Sequence, residues 1–308
     1  MVDHVIQTRG LTRYFGAKPA VLQVDLQVPR GGVTALLGRN GAGKTTLIRM
    51  LLGLLEPTRG SGTVLGHDLG DLPPDVRARI GYLAEGHHVY GWMRVGECAQ
   101  FQSRFYSTWN EEVFRGVVDY FRLDPKARVS SLSRGERAGL CLALTLAPEP
   151  ELFILDDPAL GLDPVARRAL LEAMVYVTRR ADRTIFFSSH LLSDVERVAD
   201  RIAVLEDGHL RAYCALEFFR DRVRRLVLRF PGQPPELPTI PGLLDSVRSQ
   251  NEVAVTLVGD SEEAAEQFRR LGAERIEQVP IDLEEAFISY VGHRGSGSFL
   301  GPGTGATS

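Results

Sequence analysis

A short, mostly apolar run, 33–37, leads directly into Gly38-Arg39-Asn40-Gly41-Ala42-Gly43-Lys44-Thr45-Thr46, and a helical pattern continues from there to residue 55. A buried strand, a glycine loop and a helix in that order form the β–loop–α unit of an α/β protein. The stretch fits G-x-x-x-x-G-K-[ST] with the strand before it and the helix after it that the motif requires. Its glycines let the backbone wrap tightly, so that successive N–H groups and the positive end of the helix converge on phosphate oxygens. Lys44 then reaches the β- and γ-phosphates as a point charge, and the Thr45 hydroxyl is offered to Mg2+. The bland alternative is a glycine turn that happens to precede a helix. Lysine is scarce, however: the 36 basic residues include only Lys18, Lys44 and Lys126, which makes the position of Lys44 informative.

The rest of the chain continues the alternation. Strand patterns lie at residues 5–8, 21–28, 151–156, 184–188 and 201–205, and helical patterns at 95–106, 111–121, 164–179 and 191–199. Strands separated by helices imply a mostly parallel core sheet. The pattern restarts after a proline-rich connector at 231–235. Beyond it, residues 252–258 and 276–281 read as strands, and 260–271 and 282–290 as helices opened by Asp260 with Glu263 and by Asp282 with Glu285. The expected organisation is a first domain at 1–220, with a helical subdomain at about 86–150, and a small α+β domain at 221–293. A disordered Gly/Ser/Thr/Pro tail is expected at 294–308.

Composition removes several classes of function. No run approaches the roughly 18 apolar residues that span a bilayer, and residues 1–10 lack a secretory pattern, so any membrane role must come through a partner. Cys98, Cys141 and Cys214 are odd in number and far apart, which excludes a disulfide framework and fits a reducing compartment. A net charge of −3 gives no electrostatic footprint for nucleic acid. His87 and His88 follow a glycine in an expected exposed loop with no further ligand at useful spacing, so no metal site is expected there.

A phosphate loop needs a carboxylate at the end of a neighbouring strand to hold its metal. Leu152-Phe153-Ile154-Leu155-Asp156 supplies one, followed by Asp157 and by Leu160-Gly161-Leu162-Asp163-Pro164. With those residues the chain resembles the ATP-binding cassette (ABC) ATPases over about residues 5–212, every motif in order. Phe15 matches the aromatic residue that stacks on adenine, residues 38–46 the Walker A loop, and Glu85 the Q-loop position. Leu132-Ser133-Arg134-Gly135-Glu136 stands at the signature, Asp156 at Walker B, Asp157 at the catalytic carboxylate, Asp163 in the D-loop and His190 at the switch histidine.

The resemblance implies a P-loop NTPase cassette with a mostly parallel core sheet, an antiparallel β subdomain and a helical subdomain, followed here by the α+β appendage. It implies ATP as ligand and Mg2+ held by Thr45, Asp156 and Glu85. It also implies closure of two cassettes, identical or different, head to tail, with Ser133 and Gly135 of one meeting the γ-phosphate held by Lys44 of the other. An integral membrane permease would be the further partner, with the cassette on the cytoplasmic face of the membrane. Glu85, Asp157, residues 105–110 and residues 282–287 look like the bacterial export-type branch.

Three departures bear on the chemistry. Asp157 stands where the family has glutamate, one methylene shorter, which points to slow hydrolysis. Glu85 replaces glutamine and adds a charge near the phosphates, and Arg134 replaces the first glycine of the signature pair. A regulatory cassette with little hydrolysis and a soluble ABC ATPase without a permease therefore stay open as alternatives. The aromatic and Met set Tyr90, Trp92, Met93, Phe101, Phe105, Tyr106 and Trp109 reads mostly as subdomain core. Tyr90, Trp92 and Met93 are the candidates for exposure in the groove that, in the family, receives a helix of the membrane subunit.

Overall fold

The computed structural model describes residues 3–178, 182–238, 240–259 and 261–292. Strand β1 (His4–Phe15) runs antiparallel to β2 (Lys18–Val24) and β3 (Gln27–Pro29). The single strand expected at 21–28 is thus two. Gln23 takes a left-handed φ of 47°, and side chains replace ladder bonds at the break. Thr8 Oγ1 donates to Val24 O at 2.8 Å and accepts from Leu26 N at 2.9 Å, while Asp25 Oδ1 accepts from Gly10 N at 2.6 Å. Next, β4 (Gly32–Leu37) leads into α1 (Lys44–Leu51). This helix stops short of residue 55 because Gly53, at φ 65°, closes it. Leu54 N donates to Arg49 O and Gly53 N to Met50 O, the Schellman arrangement. Then β5 (Arg59–Val64) and β6 (His67–Asp68) complete an antiparallel sheet of order β2-β1-β5-β6, with β3 on β1.

The chain continues through α2 (Pro74–Ala78), β7 (Ile80–Leu83), α3 (Val95–Ser103), α4 (Glu111–Tyr120), α5 (Arg134–Leu146) and β8 (Leu152–Leu155). It goes on through α6 (Pro164–Thr178), β9 (Thr184–Ser189), α7 (Leu192–Val198) and β10 (Arg201–Glu206). Five parallel strands in the order β10-β4-β9-β8-β7 form the parallel part of the six-stranded central sheet. They read as unbroken apolar runs because helices cover both faces of such a sheet. Its register decides the site: Leu83 pairs with Leu155, Leu155 with Phe187, and Phe187 with Ala35. The segments that follow these strands therefore leave from one carboxyl edge, where α/β sheets bind ligands.

Helices α3 to α5 enclose their own core around Val95, Phe114, Val118, Leu140 and Leu144. The sequence expectation for the aromatic set needs correction. Helix α3 buries Val95, Cys98 and Ala99, with Gln102 bonded to Leu144 O, a single i, i+3, i+4, i+7 face. Phe101 falls on the other side and Phe105 lies beyond the end of the helix; both are exposed, as are Tyr90 and Trp92, whereas Met93 is core. The four exposed rings form a contiguous patch with centroids 5.2–6.5 Å apart.

Compactness divides the chain between Leu210 and Arg211, ten residues before the composition shift at 220/221. Across that division runs β11 (His209–Ala215), followed by α8 (Leu216–Arg222), β12 (Val223–Arg229), β13 (Leu243–Ser249) and β14 (Glu252–Val258). The chain then forms α9 (Ser261–Arg270), β15 (Arg275–Val279) and α10 (Leu283–Gly292). The second unit is an antiparallel sheet of order β13-β14-β12-β15. Phe268 of α9 packs with Leu226, Leu228, Val253 and Val255 of the sheet. Asp282 Oδ1 accepts from Glu285 N at 2.7 Å, as its capping pattern foretold. Asp260, residue 179 and the tail at 294–308 lie outside the described residues. Among the described residues no helix is long and apolar enough to cross a membrane.

Candidate active site

The loop between β4 and α1 depends on glycine at two positions. A Cβ on Gly43, which caps α1 at φ 106°, would lie 2.2 Å from Ala20 O, and one on Gly38 would lie 2.4 Å from Leu205 O. Lys44 opens α1 and is buried; its Nζ donates to Gly38 O at 2.7 Å and Arg39 O at 3.2 Å. Burial pushes the ammonium below its ordinary pKa, against the opposing pull of Asp157, Asp156 and Glu85. A cavity of about 370 Å³ lies over the loop. Of the residues singled out from the sequence, Phe15, Asn40, Gly41, Gly43, Lys44, Thr45, Thr46, Glu85, Asp156 and Asp157 line it. Gly38 and Arg39 act through their carbonyls on Lys44, while Ala42 packs behind the loop, 3% exposed.

Asp156 and Asp157 leave the end of β8 and are joined to β9 by a residue the sequence reading passed over. Ser188 Oγ accepts from Asp157 N at 2.8 Å and donates to Asp156 Oδ1 at 2.8 Å. Asp157 holds a left-handed φ of 44°, unusual for any residue but glycine. Its Oδ2 is 2.7 Å from His190 Nδ1, and its Oδ1 is buried without a hydrogen-bond partner among the described residues. Desolvation raises the Asp157 carboxyl above its ordinary range, while the His190 hydrogen bond and then the charges of His190 and Lys44 hold it down. An acidic oxygen with a free lone pair, beside a buried ammonium and at the carboxyl edge of the sheet, can orient a water against a bound phosphate.

Ser133, Gly135 and Asp163 do not join this group. They line a second cavity of about 600 Å³ with Arg168 and Glu172. Ser133 caps α5, its Oγ accepting from Glu136 N at 3.2 Å while Glu136 Oε2 accepts from Ser133 N at 2.8 Å. Asp163 caps α6 through Val165 N and Ala166 N. Gly135 lets α5 approach α6, since a Cβ there would sit 2.9 Å from the Ala166 Cβ.

His87 also differs from expectation. Its ring is buried, and Nε2–H donates to Pro158 O at 2.9 Å, immediately after Asp157; burial lowers its pKa. It lines a cavity with Tyr82, Gln102, Tyr106, Leu144 and Pro148, brought together from across the fold, which spacing along the chain could not show. Lys18, Pro19 and Ala20 line the first cavity as well, unforeseen because β2 begins earlier than its apolar residues suggest.

Comparison with known proteins places this geometry in context. Residues 21–160 match the family model described as ABC transporter. The chain is 31% identical over 295 residues to the Nod factor export ATP-binding protein I of Rhizobium etli, covering 93% of each. It is 31% identical to the bacitracin transport ATP-binding protein BcrA of Bacillus licheniformis, over 72% of this chain and 73% of that one. Among solved structures, an ATP binding subunit of an ABC transporter superposes with a TM-score of 0.64 at 30% identity, covering 70% of this chain and 92% of the other. A dimeric ATP-binding cassette bound to ADP and Pi shares the fold at a TM-score of 0.61 and 19% identity.

Proposed function

The chain belongs to the ATP-binding proteins of ABC transporters, and on that footing we propose that it is the ATPase subunit of an exporter, closing in pairs around ATP and working on a separate membrane permease. The observation that carries the catalytic part is Asp157: buried in the cavity with Lys44, tied to His190 through Oδ2, and with an Oδ1 that has no hydrogen-bond partner among the described residues. In this reading Phe15 stacks on adenine, the loop from Gly38 to Thr46 wraps the phosphates, and Lys44 exchanges its loop carbonyls for phosphate oxygens. Asp157 orients the attacking water and accepts its proton, with His190 fixing the carboxylate. Thr45, Asp156 and Glu85 line one cavity and offer the all-oxygen donors that Mg2+ prefers, so they fit the ion. When bound, Mg2+ would neutralise charge on the phosphates.

The separation of Ser133, Gly135 and Asp163 from Lys44 supports a site completed by a second cassette, identical or different. The helix N-terminus capped by Ser133 would meet the partner's phosphate and make closure depend on ATP. Export, rather than import, follows the printed name of the Nod factor export relative. The exposed rings of Tyr90, Trp92, Phe101 and Phe105 suit the docking of a permease helix, which would hold the chain at the cytoplasmic face of the membrane.

The test is ATP turnover by the purified chain beside Lys44→Ala and Asp157→Asn, with dimerisation followed in the same samples. Lys44→Ala should lose ATP binding and turnover together. Asp157→Asn should bind ATP, hydrolyse none and accumulate as a dimer. Turnover by Asp157→Asn equal to wild type would remove Asp157 from the catalytic role.

A further inference from the structure

Phe15 is about half exposed, yet one face of its ring is already taken. The Arg13 guanidinium carbon lies 4.9 Å from the ring centroid, and Arg13 Nη1 donates to Glu56 O at 2.8 Å. Arg13 Nε is buried and has no hydrogen-bond partner among the described residues. A buried N–H without an acceptor is costly, so hydrogen bonding alone does not account for the position of this side chain. Stacking on the ring does, because it covers the guanidinium plane without supplying an acceptor. The local backbone is irregular as well: the β1–β2 register shifts on both sides of Arg13, and Tyr14 N is tied to Thr58 Oγ1 rather than to β2. The β1–β2 hairpin then closes with Phe15 opposite Lys18, and both line the nucleotide cavity.

We propose that Arg13 is a positioning residue for the nucleobase: it backs the Phe15 ring, leaves one face for adenine, and so adds to the preference for a base that the phosphate loop cannot provide. The inference rests on the stacking role of Phe15. Its physical content is twofold. A ring backed by a guanidinium loses less rotamer freedom when a base arrives. The cation on one face also strengthens attraction for an electron-rich base on the other. Arg13 touches neither phosphate nor metal in this arrangement, so its effect should appear in the base-dependent part of affinity alone.

The experiment measures binding of ATP, GTP and inorganic triphosphate to the full chain, by competition with a fluorescent ATP analogue, for wild type, Arg13→Gln, Phe15→Ala and the double variant. Gln keeps a planar amide donor but is two bonds shorter than Arg and carries no cation, so the Glu56 carbonyl is left to water. Cation–ring contacts at exposed sites are worth about 0.5–1 kcal/mol, so Arg13→Gln should weaken ATP about two- to five-fold and leave triphosphate unchanged. In the Phe15→Ala background the same change should have no further effect, and Arg13→Lys should recover part of the loss. An equal loss for ATP and triphosphate, or the same loss with and without Phe15, would overturn the proposal while leaving the stacking reading intact. No effect of Phe15→Ala on ATP would overturn that reading and this proposal with it. Thermal unfolding of each variant separates a loss of fold from a loss of positioning.

Discussion

Ser188→Ala tests whether the carboxylate pair is held from β9. The hydroxyl is fully buried and has two partners, Asp157 N and Asp156 Oδ1. Its removal orphans a backbone donor, at about 1–3 kcal/mol, and deprives a carboxylate of a charge-assisted bond, at about 1.5–3 kcal/mol. Both groups border an open cavity, so water recovers part of this and the net destabilisation should be about 2–4 kcal/mol. That is less than a typical stability of about 5–15 kcal/mol, so the protein stays folded. For a unit of this size Tm should fall by roughly 4–16 °C. Turnover should fall further than stability implies. The left-handed backbone of Asp157 is strained, and the Ser188 bond is one of the contacts that over-determine it. A small displacement of its carboxylate should cost about 10- to 100-fold in kcat. Denaturant unfolding, calorimetry and steady-state turnover on one preparation decide the matter. A variant within about 1 °C and twofold of wild type would show that water replaces the hydroxyl and that the network does not set the site.

Gly43→Ala should abolish nucleotide binding and cost about 3 kcal/mol or more, because its Cβ meets the Ala20 carbonyl as well as an unfavourable φ. Gly41→Ala, at φ 84° in open space, should cost only about 1–2 kcal/mol; denaturant midpoints compare the two. His190→Ala removes the hydrogen bond and charge that hold Asp157 down, so its carboxyl rises further and the acidic limb of the pH–rate profile moves to higher pH. A limb that stays in place would remove His190 from that role. Because the folded pKa of Asp157 is raised, its contribution to stability is lost as pH climbs from the ordinary carboxylate range through the folded value. Glu151, gripped by Arg79 at 2.6 Å and Arg30 at 3.1 Å, is the opposite case, its carboxyl held low first by the Arg79 hydrogen bond. Glu151→Gln should cost about 1 kcal/mol at neutral pH, since the groups are a third exposed. That difference should vanish as pH falls through the folded pKa and wild type is protonated, which a pair of pH–stability curves would show.

What could be read in advance followed the range of each interaction. The strand, loop and helix around Lys44 are contiguous, and their apolar run, glycines and lysine carry the geometry locally. The capping pair Asp282/Glu285 is likewise spaced by one helical turn. Strands with sparse apolar patterns escaped notice: β13 buries only Leu244, and β5 carries two glycines in its six residues. In the aromatic cluster Tyr90 and Trp92, candidates for exposure, do stand exposed, but Phe101 and Phe105 were misjudged for a related reason, since hydrophobicity alone does not tell a core ring from one left at the surface.

The sequence by itself determined that a phosphate loop exists, that an acidic pair ends a buried strand and that a histidine ends another, because each is a property of one short segment. Only the tertiary structure decided that β8 lies between β7 and β9, so that Asp157, His190, Lys44 and the Ser188 hydroxyl meet at one edge while Ser133 and Asp163 line another cavity. The burial of His87 and the stacking of Arg13 on Phe15 belong to the same class. Such contacts come from strand order, register and packing, which depend on many weak, distant interactions summed over the whole core and on no single stretch of residues.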